Sequence, residues 1–188
     1  MSGVIACALV AVAACSAPAR PDARGLRYTD LTAEFLRADR PIEIQPPNAA
    51  SVRDAIVGGV SAQCIATTPP SRVTWPLAIP PRARLHTAIA VRASEGAAGT
   101  AMFRIGIADA RYYEELFRRE VAFGPGAAPD WVPAAVDLSS YAGPQWSLFY
   151  HPSRRTWRII LATSTAPPAP GSPAVLLLWR APDIRVER

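Results

Sequence analysis

The sequence contains no lysine, three cysteines and two histidines among its 188 residues. All 20 basic residues are arginines, and the net charge is +5. The arginines are scattered, with adjacent pairs only at 118–119 and 154–155, and no basic stripe with interleaved aromatic residues occurs. This distribution argues against a nucleic-acid partner. The use of arginine reflects a GC-rich codon bias or, alternatively, an attraction to anionic headgroups or acidic glycans.

Motifs for catalysis are also missing. We find no G-x-S-x-G, no phosphate-cradling glycine loop and no H-E-x-x-H. His86 and His151 lack the spacing of metal ligands. Glu114 and Glu115 are adjacent, so on a strand they point to opposite faces and do not form an acid pair. The sequence therefore predicts no catalytic residue, no metal and no cofactor, and a hydrolase is the least favoured hypothesis.

The apolar run from Val4 to Ala14 is too short for a bilayer-spanning helix, which needs about 20 residues. It has the length of the hydrophobic region of a signal peptide. It ends in Val12-Ala13-Ala14-Cys15, which resembles the lipobox of bacterial lipoproteins. The resemblance implies cleavage before Cys15, acylation of its sulfur and amine, and stable membrane anchoring by several acyl chains. Ser16, a non-acidic residue, is similar to the outer-membrane sorting signal of Gram-negative bacteria.

Two alternatives to the lipid anchor stay open. Residues 1–6 carry no Lys or Arg, which departs from the usual signal pattern. Cleavage after Ala17-Pro18-Ala19 would give a secreted protein, and no cleavage a cytosolic one. The predicted organisation is a signal peptide at 1–14, a lipidated Cys and tether at 15–27, and one domain at 28–188. Within that domain Cys64 has no disulfide partner and is expected to be a buried, unreactive thiol.

Short alternating runs dominate the domain. In the stretch 130–150, Val132, Ala134, Val136 and Leu138 recur with the period of a half-buried strand. A short helical turn follows, for which Ser139 and the Asp137 carboxylate both offer oxygens to backbone N–H groups. Further strands are predicted at 42–45, 60–67, 72–79, 85–91, 103–107, 115–123, 156–163, 174–179 and 184–186. For residues 109–123 a helix stays open, because Tyr113, Phe117 and Val121 also recur at i,i+4; we favour a loop or helical turn at 109–113 before the strand.

Other segments are predicted differently. Residues 29–37 favour a short helix capped by Thr29, and residues 51–59 a turn or distorted helical turn. The runs at 85–91 and 103–107 are joined by a glycine-containing loop, which predicts a hairpin. Pro76 suggests that its strand lies at a sheet edge. Together the elements predict an all-β protein, an antiparallel β-sandwich (jelly roll) with one or two short helices.

Five segments carry a resemblance to a known family: residues 71–85, 103–109, 115–123, 130–143 with 147–149, and 174–184. Their order, with Trp131, the run VDLSSYAG (136–143) and a late Trp-x-x-Pro-x-Ile (179–184), resembles galactose-binding-like jelly-roll modules found beside sulfatase-type domains in bacterial envelope proteins. Arg180 stands where that pattern often has glycine. The resemblance implies a sandwich that binds sugars through loops or a concave face.

Exposed aromatic residues are the best candidates for such a site, because sugar rings stack on Trp or Tyr while polar side chains bind the hydroxyls. The remaining tryptophans are expected to fill the core. The first hypothesis is therefore a non-catalytic, lipid-anchored envelope protein, in the outer membrane, that binds a glycan or other polar ligand. The alternative is an adaptor lipoprotein that binds another envelope protein. The candidate ligand-binding residues are Tyr112, Tyr113, Trp146, His151 and Arg155.

Overall fold

The structure is a computed structural model that describes residues 26–37, 39, 42–142, 156–166 and 175–187. Cys15, Gly143, Trp146, His151 and Arg155 lie outside these ranges. One α-helix and a single 3-10 turn accompany eleven strands in the described part of the chain. The strands are β1 (Leu26–Asp30), β2 (Glu43–Gln45), β3 (Ala50–Val57), β4 (Val60–Thr67), β5 (Ser71–Leu77), β6 (Ala83–Ala93), β7 (Gly99–Ala108), β8 (Tyr113–Phe123), β9 (Val132–Asp137), β10 (Trp157–Thr165) and β11 (Val175–Val186).

The strands form two antiparallel sheets. The six-stranded sheet has the order β3-β4-β11-β6-β9, with β1 also paired to β11, and the five-stranded sheet has the order β2-β5-β10-β7-β8. If β4 to β11 are counted as strands 1 to 8, their order is 1-8-3-6 in the six-stranded sheet and 2-7-4-5 in the five-stranded sheet. This interleaving is the jelly-roll arrangement that the sequence predicts.

Alternating side chains place the core between the sheets. Phe103 and Trp179 meet there edge to face, with ring centroids 5.1 Å apart, and both are fully buried. Trp75 and Trp157 are also buried in this cluster. Each aromatic pair adds about 1 kcal/mol beyond the area that it buries. Trp75, Trp157 and Trp179 are thus core residues, as predicted.

A chain of hydroxyl groups joins the sheets inside the core. Thr163 of β10 lies 2.6 Å from the Ser71 hydroxyl and 3.1 Å from the Thr67 hydroxyl, and Thr67 donates to the Leu177 carbonyl oxygen at 3.0 Å. All three side chains are buried. Their hydrogen bonds offset the cost of removing polar groups from water.

The outer face of the six-stranded sheet is covered by the chain itself. Strand β4 pairs with β11 only over residues 64–67, so the end of the β3–β4 hairpin projects beyond the sheet. Its Gly58 lies against Pro129 and Asp130, which precede β9 at the opposite edge of the sheet. A second apolar cluster fills the space beneath: Ala55, Val57, Cys64, Ala66, Ala90, Trp131 and Leu178.

The turn predicted at residues 51–59 is therefore wrong, because β3 occupies most of it. The hairpin prediction for β6 and β7 is also wrong: both are strands, but they belong to different sheets. The strands predicted separately at 174–179 and 184–186 form one strand, β11, with a bulge between them and Ala181 at φ 42°. Pro76 lies in β5, between β2 and β10 in the sheet. Strand β2 pairs with β5 only as far as Thr74, so the missing N–H of Pro76 removes no hydrogen bond to β2.

The helix and the 3-10 turn depend on aspartate side chains. Helix α1 (Leu31–Leu36) begins after Asp30, whose carboxylate accepts from the N–H groups of Thr32 and Ala33, so Asp30 and not Thr29 is the cap. Before the turn at residues 139–141, Asp137 accepts from the Ser139 backbone N–H at 2.8 Å and from its hydroxyl. The predicted role of Asp137 is confirmed, whereas the capping role predicted for Ser139 is wrong because its hydroxyl donates. Neither helical segment has the length and apolar character needed to cross a bilayer, within the part of the chain that the structure describes.

Candidate functional site

The outer face of the five-stranded sheet differs from that of its partner. We call it the open face, because no segment packs across it within the described ranges. Cross-strand pairing arranges its outward side chains in rows. One row contains Pro76, Arg158, Ala108 and Tyr113; the next contains Glu43, Thr74, Ile160, Gly106 and Glu115; the third contains Gln45, Arg72, Ala162, Arg104 and Arg118.

Tyr113 is the aromatic residue in these three rows of described side chains, and it is 53% exposed. It pairs with Ala108 at the start of β8, and its ring extends over Gly106 in the neighbouring strand. A Cβ atom at residue 106 would meet the Tyr113 Cε2 atom at 2.7 Å. The glycine thus allows the ring to lie close to the backbone of β7, with much of its surface in solvent.

A cavity of about 390 Å³ opens beside Tyr113. Its floor contains Ile160 and Thr74, both more than 90% buried, and its walls contain the long side chains of Arg72 and Arg158. The loop before β8 closes one end with Asp109, Arg111 and Tyr112. An apolar floor edged by polar groups and an exposed ring is the general character of a small-ligand site.

Tyr112 is fixed at the end of the cavity by what we call the tyrosine cluster, formed by Tyr112, Glu114, Tyr141 and Trp157. The Glu114 carboxylate accepts from the hydroxyls of both tyrosines, from Tyr141 at 2.5 Å. The Trp157 indole donates to the Tyr141 carbonyl oxygen at 2.8 Å and meets both tyrosine rings edge to face. The cluster ties the start of β8 to β10 and to the turn after β9.

The hydrogen bonds of this cluster set the protonation states. Those from Tyr112, and then Tyr141, hold the pKa of Glu114 below its ordinary value, because they stabilise the carboxylate. Burial, followed by the bond to Glu114, raises the pKa of Tyr141 to about 12. The bond to Glu114 is also the main cause of the raised pKa of Tyr112. Near neutral pH the cluster is therefore one carboxylate and two neutral phenols.

Asp109 shapes the loop that carries Arg111. Its carboxylate accepts from the backbone N–H groups of Arg111 and Tyr112, each at 2.8 Å, and the Asp109 N–H donates to the Tyr112 carbonyl oxygen. An aspartate that bonds its own turn in this way is a common loop device. The turn holds Arg111 and Tyr112 together at the mouth of the cavity.

Two of the predicted ligand-binding residues, Tyr112 and Tyr113, line the same cavity, while Trp146, His151 and Arg155 lie outside the described residues. The sequence reasoning missed Arg72, Arg158, Thr74 and Ile160. Their outward position is visible in the sequence, because they alternate with the core residues of β5 and β10. Alternation identifies the outward positions of each strand, but not which strands lie side by side.

His86 does not contribute to this site. It lies on the opposite sheet, facing Asp183 across β11, and its Nε2 atom is buried without a hydrogen-bond partner. Burial lowers the pKa of His86, which the Asp183 charge partly opposes. No group of three or more His, Cys, Asp or Glu side chains suited to a metal ion occurs among the residues that the structure describes.

No family model and no curated protein match the chain. Solved structures do match. One is a family 61 carbohydrate-binding module in complex with β-1,4-galactotriose, at 11% identity and a TM-score of 0.44, covering 78% of this chain and 89% of that one. Another contains a family 51 module of ZmpB from Clostridium perfringens in complex with GlcNAc, at 13% identity and a TM-score of 0.47, covering 84% and 31%.

A third is the K1 cleaved adhesin domain of Lys-gingipain from Porphyromonas gingivalis, at 13% identity and a TM-score of 0.47, covering 81% of this chain and 94% of that one. The likeness to these structures is one of β-sandwich fold. At TM-scores below 0.5 it identifies no ligand for this chain.

Proposed function

We propose that this protein is a non-catalytic carbohydrate-binding β-sandwich of the galactose-binding-like kind, carried on the bacterial cell envelope by a lipid at Cys15. The polysaccharide binds along the open face, with a sugar ring stacked on Tyr113. The observation that carries the proposal is the position of this tyrosine over Gly106. It presents an exposed aromatic surface beside a cavity whose walls can bind hydroxyl groups.

The chemistry of the surrounding residues fits sugar recognition. Arg72, Arg158 and Arg111 supply N–H donors, Glu43 supplies acceptors, and Gln45 supplies both. Ile160 gives an apolar floor for the C–H groups of a ring. Tyr112, fixed by Glu114, offers a second ring at the end of the same cavity.

The test is binding of the full chain, with Cys15→Ser to prevent lipidation, to a panel of polysaccharides by isothermal titration calorimetry. Tyr113→Ala is compared with Tyr28→Ala, which removes a similarly exposed tyrosine (51%) from β1 in the opposite sheet. Tyr113→Ala should weaken binding about two- to tenfold, because aromatic stacking contributes about 0.5–1.5 kcal/mol. Equal affinities of the two variants, or no binding to any polysaccharide, would count against the proposal.

The lipid anchor is supported by the sequence Val12-Ala13-Ala14-Cys15 alone. Mass spectrometry of the mature protein tests it separately from binding. The expected N-terminus is an acylated Cys15. An unmodified N-terminus at Arg20 would contradict the lipid anchor and indicate a secreted protein.

An adaptor lipoprotein is the second candidate, favoured by a separate apolar cavity of about 390 Å³. This cavity lies between the β6–β7 and β8–β9 loops, and Val91, Val121, Phe123 and Val132 contribute to its lining. An apolar side chain of another envelope protein could enter it. Crosslinking in cells with a photoreactive residue at Ala122, which also lines the cavity, would capture such a partner.

A further inference from the structure

Three arginines of the candidate site make no hydrogen bond or ion pair through their guanidinium groups to any residue that the structure describes. Arg72, Arg111 and Arg158 line the cavity and are exposed. Among the described residues, none of them has a side-chain hydrogen bond or an ion pair. Their neighbours on the open face are engaged: Arg104 contacts Ser164 and Glu115, and Arg118 contacts Glu120.

Neither carboxylate of the cavity forms an ion pair with these three arginines within the described ranges. Asp109 is directed to the backbone of its own loop, where it accepts from the N–H groups of Arg111 and Tyr112. Glu43 lies on the edge strand β2, paired across the sheet with Thr74, and makes no ion pair within the part of the chain that the structure describes. Three cationic side chains and two carboxylates leave the cavity with a net positive charge.

The arginines are also spread along the face. Arg158 is paired with Pro76, and Arg72 lies four residues before Pro76 on the same strand. At about 3.3 Å per residue, this places them roughly 13 Å apart along the strand direction. Thr74 and Ile160 form the floor between them. A polymer with a repeated negative charge can place one carboxylate beside each of these two backbone positions.

Guanidinium groups favour carboxylates because their paired N–H donors match the two carboxylate oxygens. We propose that the open face selects polysaccharides that carry carboxylate groups, with uronate residues bound by Arg72 and Arg158 while a ring stacks on Tyr113. This inference rests on the proposed function and adds the class of glycan. Arg111, held at the cavity mouth by Asp109, contributes to the same attraction.

The test compares polygalacturonate and alginate with their carboxyl-reduced, neutral forms, using the full chain with Cys15→Ser. The acidic polymers should bind about tenfold more tightly than the reduced ones at low salt, and the difference should shrink as salt rises. The double variant Arg72→Gln/Arg158→Gln should lose that difference and keep the weaker binding to the reduced polymers. Glu43→Gln should tighten binding to the acidic forms.

Arg53→Gln is the matched control, since Arg53 is exposed on β3 of the other sheet and bonds only to Ser51 there. It should leave all affinities unchanged, and thermal melting should show that every variant is folded. Equal binding of the acidic and reduced polymers would overturn the charge selection and leave the proposed function standing. No binding to any polysaccharide, acidic or neutral, would overturn both.

A binding assay with vesicles that contain phosphatidylglycerol distinguishes a glycan ligand from an anionic lipid surface. The wild-type chain should not bind them in an arginine-dependent way. Vesicle binding that is lost in Arg72→Gln/Arg158→Gln, without binding to polygalacturonate or alginate, would overturn the inference and assign the face to anionic headgroups.

Discussion

The ring of Tyr113 lies so close to Gly106 that a Cβ atom on residue 106 would come within 2.7 Å of the ring and 3.0 Å of its hydroxyl oxygen. A glycine inside a strand weakens the strand, since it adds no packing and has more freedom to lose on folding. Here its lack of a side chain is the condition for an aromatic surface that lies low across the sheet.

Gly106→Ala should therefore displace the Tyr113 ring and weaken polysaccharide binding several-fold. The same Cβ would also come within 3.1 Å of the Glu114 carbonyl oxygen, so we expect a loss of stability of about 1 kcal/mol. Calorimetric titration and urea denaturation measure the two effects. Ala122→Ser, an exposed change near the other end of β8, should alter neither. Unchanged affinity in Gly106→Ala would mean that the glycine does not position the ring.

Thr163→Val tests the hydroxyl chain that joins the sheets. The substitution keeps the shape of the side chain but leaves the Ser71 hydroxyl buried without its partner at 2.6 Å. The free energy of unfolding should fall by about 1–3 kcal/mol, the cost of an unsatisfied buried polar group. Adding Ser71→Ala should recover part of this loss. Thr165→Val, at the end of the same strand, is the control and should have a smaller effect in the same urea titrations.

His86 should make stability depend on pH. Burial lowers its pKa in the folded protein, opposed by Asp183 and Glu187 and assisted by Arg185 and Arg84. As pH falls through the ordinary histidine pKa of about 6.5, the unfolded chain takes up a proton before the folded one does. The contribution of neutral His86 to the free energy of unfolding is thus fully present above that pH and decreases below it.

The melting temperature of the wild type should consequently decrease as the pH is lowered from about 7.5 to 5.5. The Glu114 and Asp137 carboxyls, whose pKa values are lowered, titrate below this pH range. His86→Gln should flatten this part of the profile. His151→Gln is the matched control, since it removes the other histidine of the chain. A wild-type slope that persists in His86→Gln would assign the pH dependence to another group.

Cys64 should resist modification in the folded protein. Burial raises its pKa to about 11, and its thiol, on β4 of the hairpin itself, lies 3.4 Å from the Arg53 carbonyl oxygen and faces the second apolar cluster. Only the thiolate reacts readily, so labelling with a thiol reagent at pH 8 should be slow in buffer and fast in denaturant. The measurement uses Cys7→Ser/Cys15→Ser, so that one thiol remains. Rapid labelling without denaturant would show that the hairpin opens locally.

The sequence predicted strands better than it predicted their partners. The alternation at 85–91 and 103–107 located β6 and β7, but period-2 patterning describes which residues are buried and not which sheet receives them. A loop of a few residues can join a hairpin or cross between sheets, and in this fold it crosses. Strand β3 is not recognisable from its sequence, because its buried side changes along its length. Ala50 and Val52 pack against the core between the sheets, whereas Ala55 and Val57 pack into the second apolar cluster on the outer face.

The candidate site was predictable only in part for the same reason. Tyr112 and Tyr113 were recognisable as aromatic residues beside polar ones. Their relation to Arg72 and Arg158 depends on the order β5-β10-β7-β8, which joins segments as far apart as residues 72 and 158. The contact between Tyr113 and Gly106 depends further on a bulge in β8, after which the pairing shifts. No local pattern records these registers.

The place of β11 in the six-stranded sheet has a consequence for the timing of folding. This strand, at the end of the sequence, separates β4 from β6, and β1 also pairs with it. During synthesis the units β3–β4 and β6–β9 cannot join until β11 has left the ribosome, so the sheet is completed last and across the longest loops. Such non-local closure is slow. The facing edges of β4 and β6 consequently stay unpaired in the nascent chain, and open to wrong partners, until β11 has been synthesised.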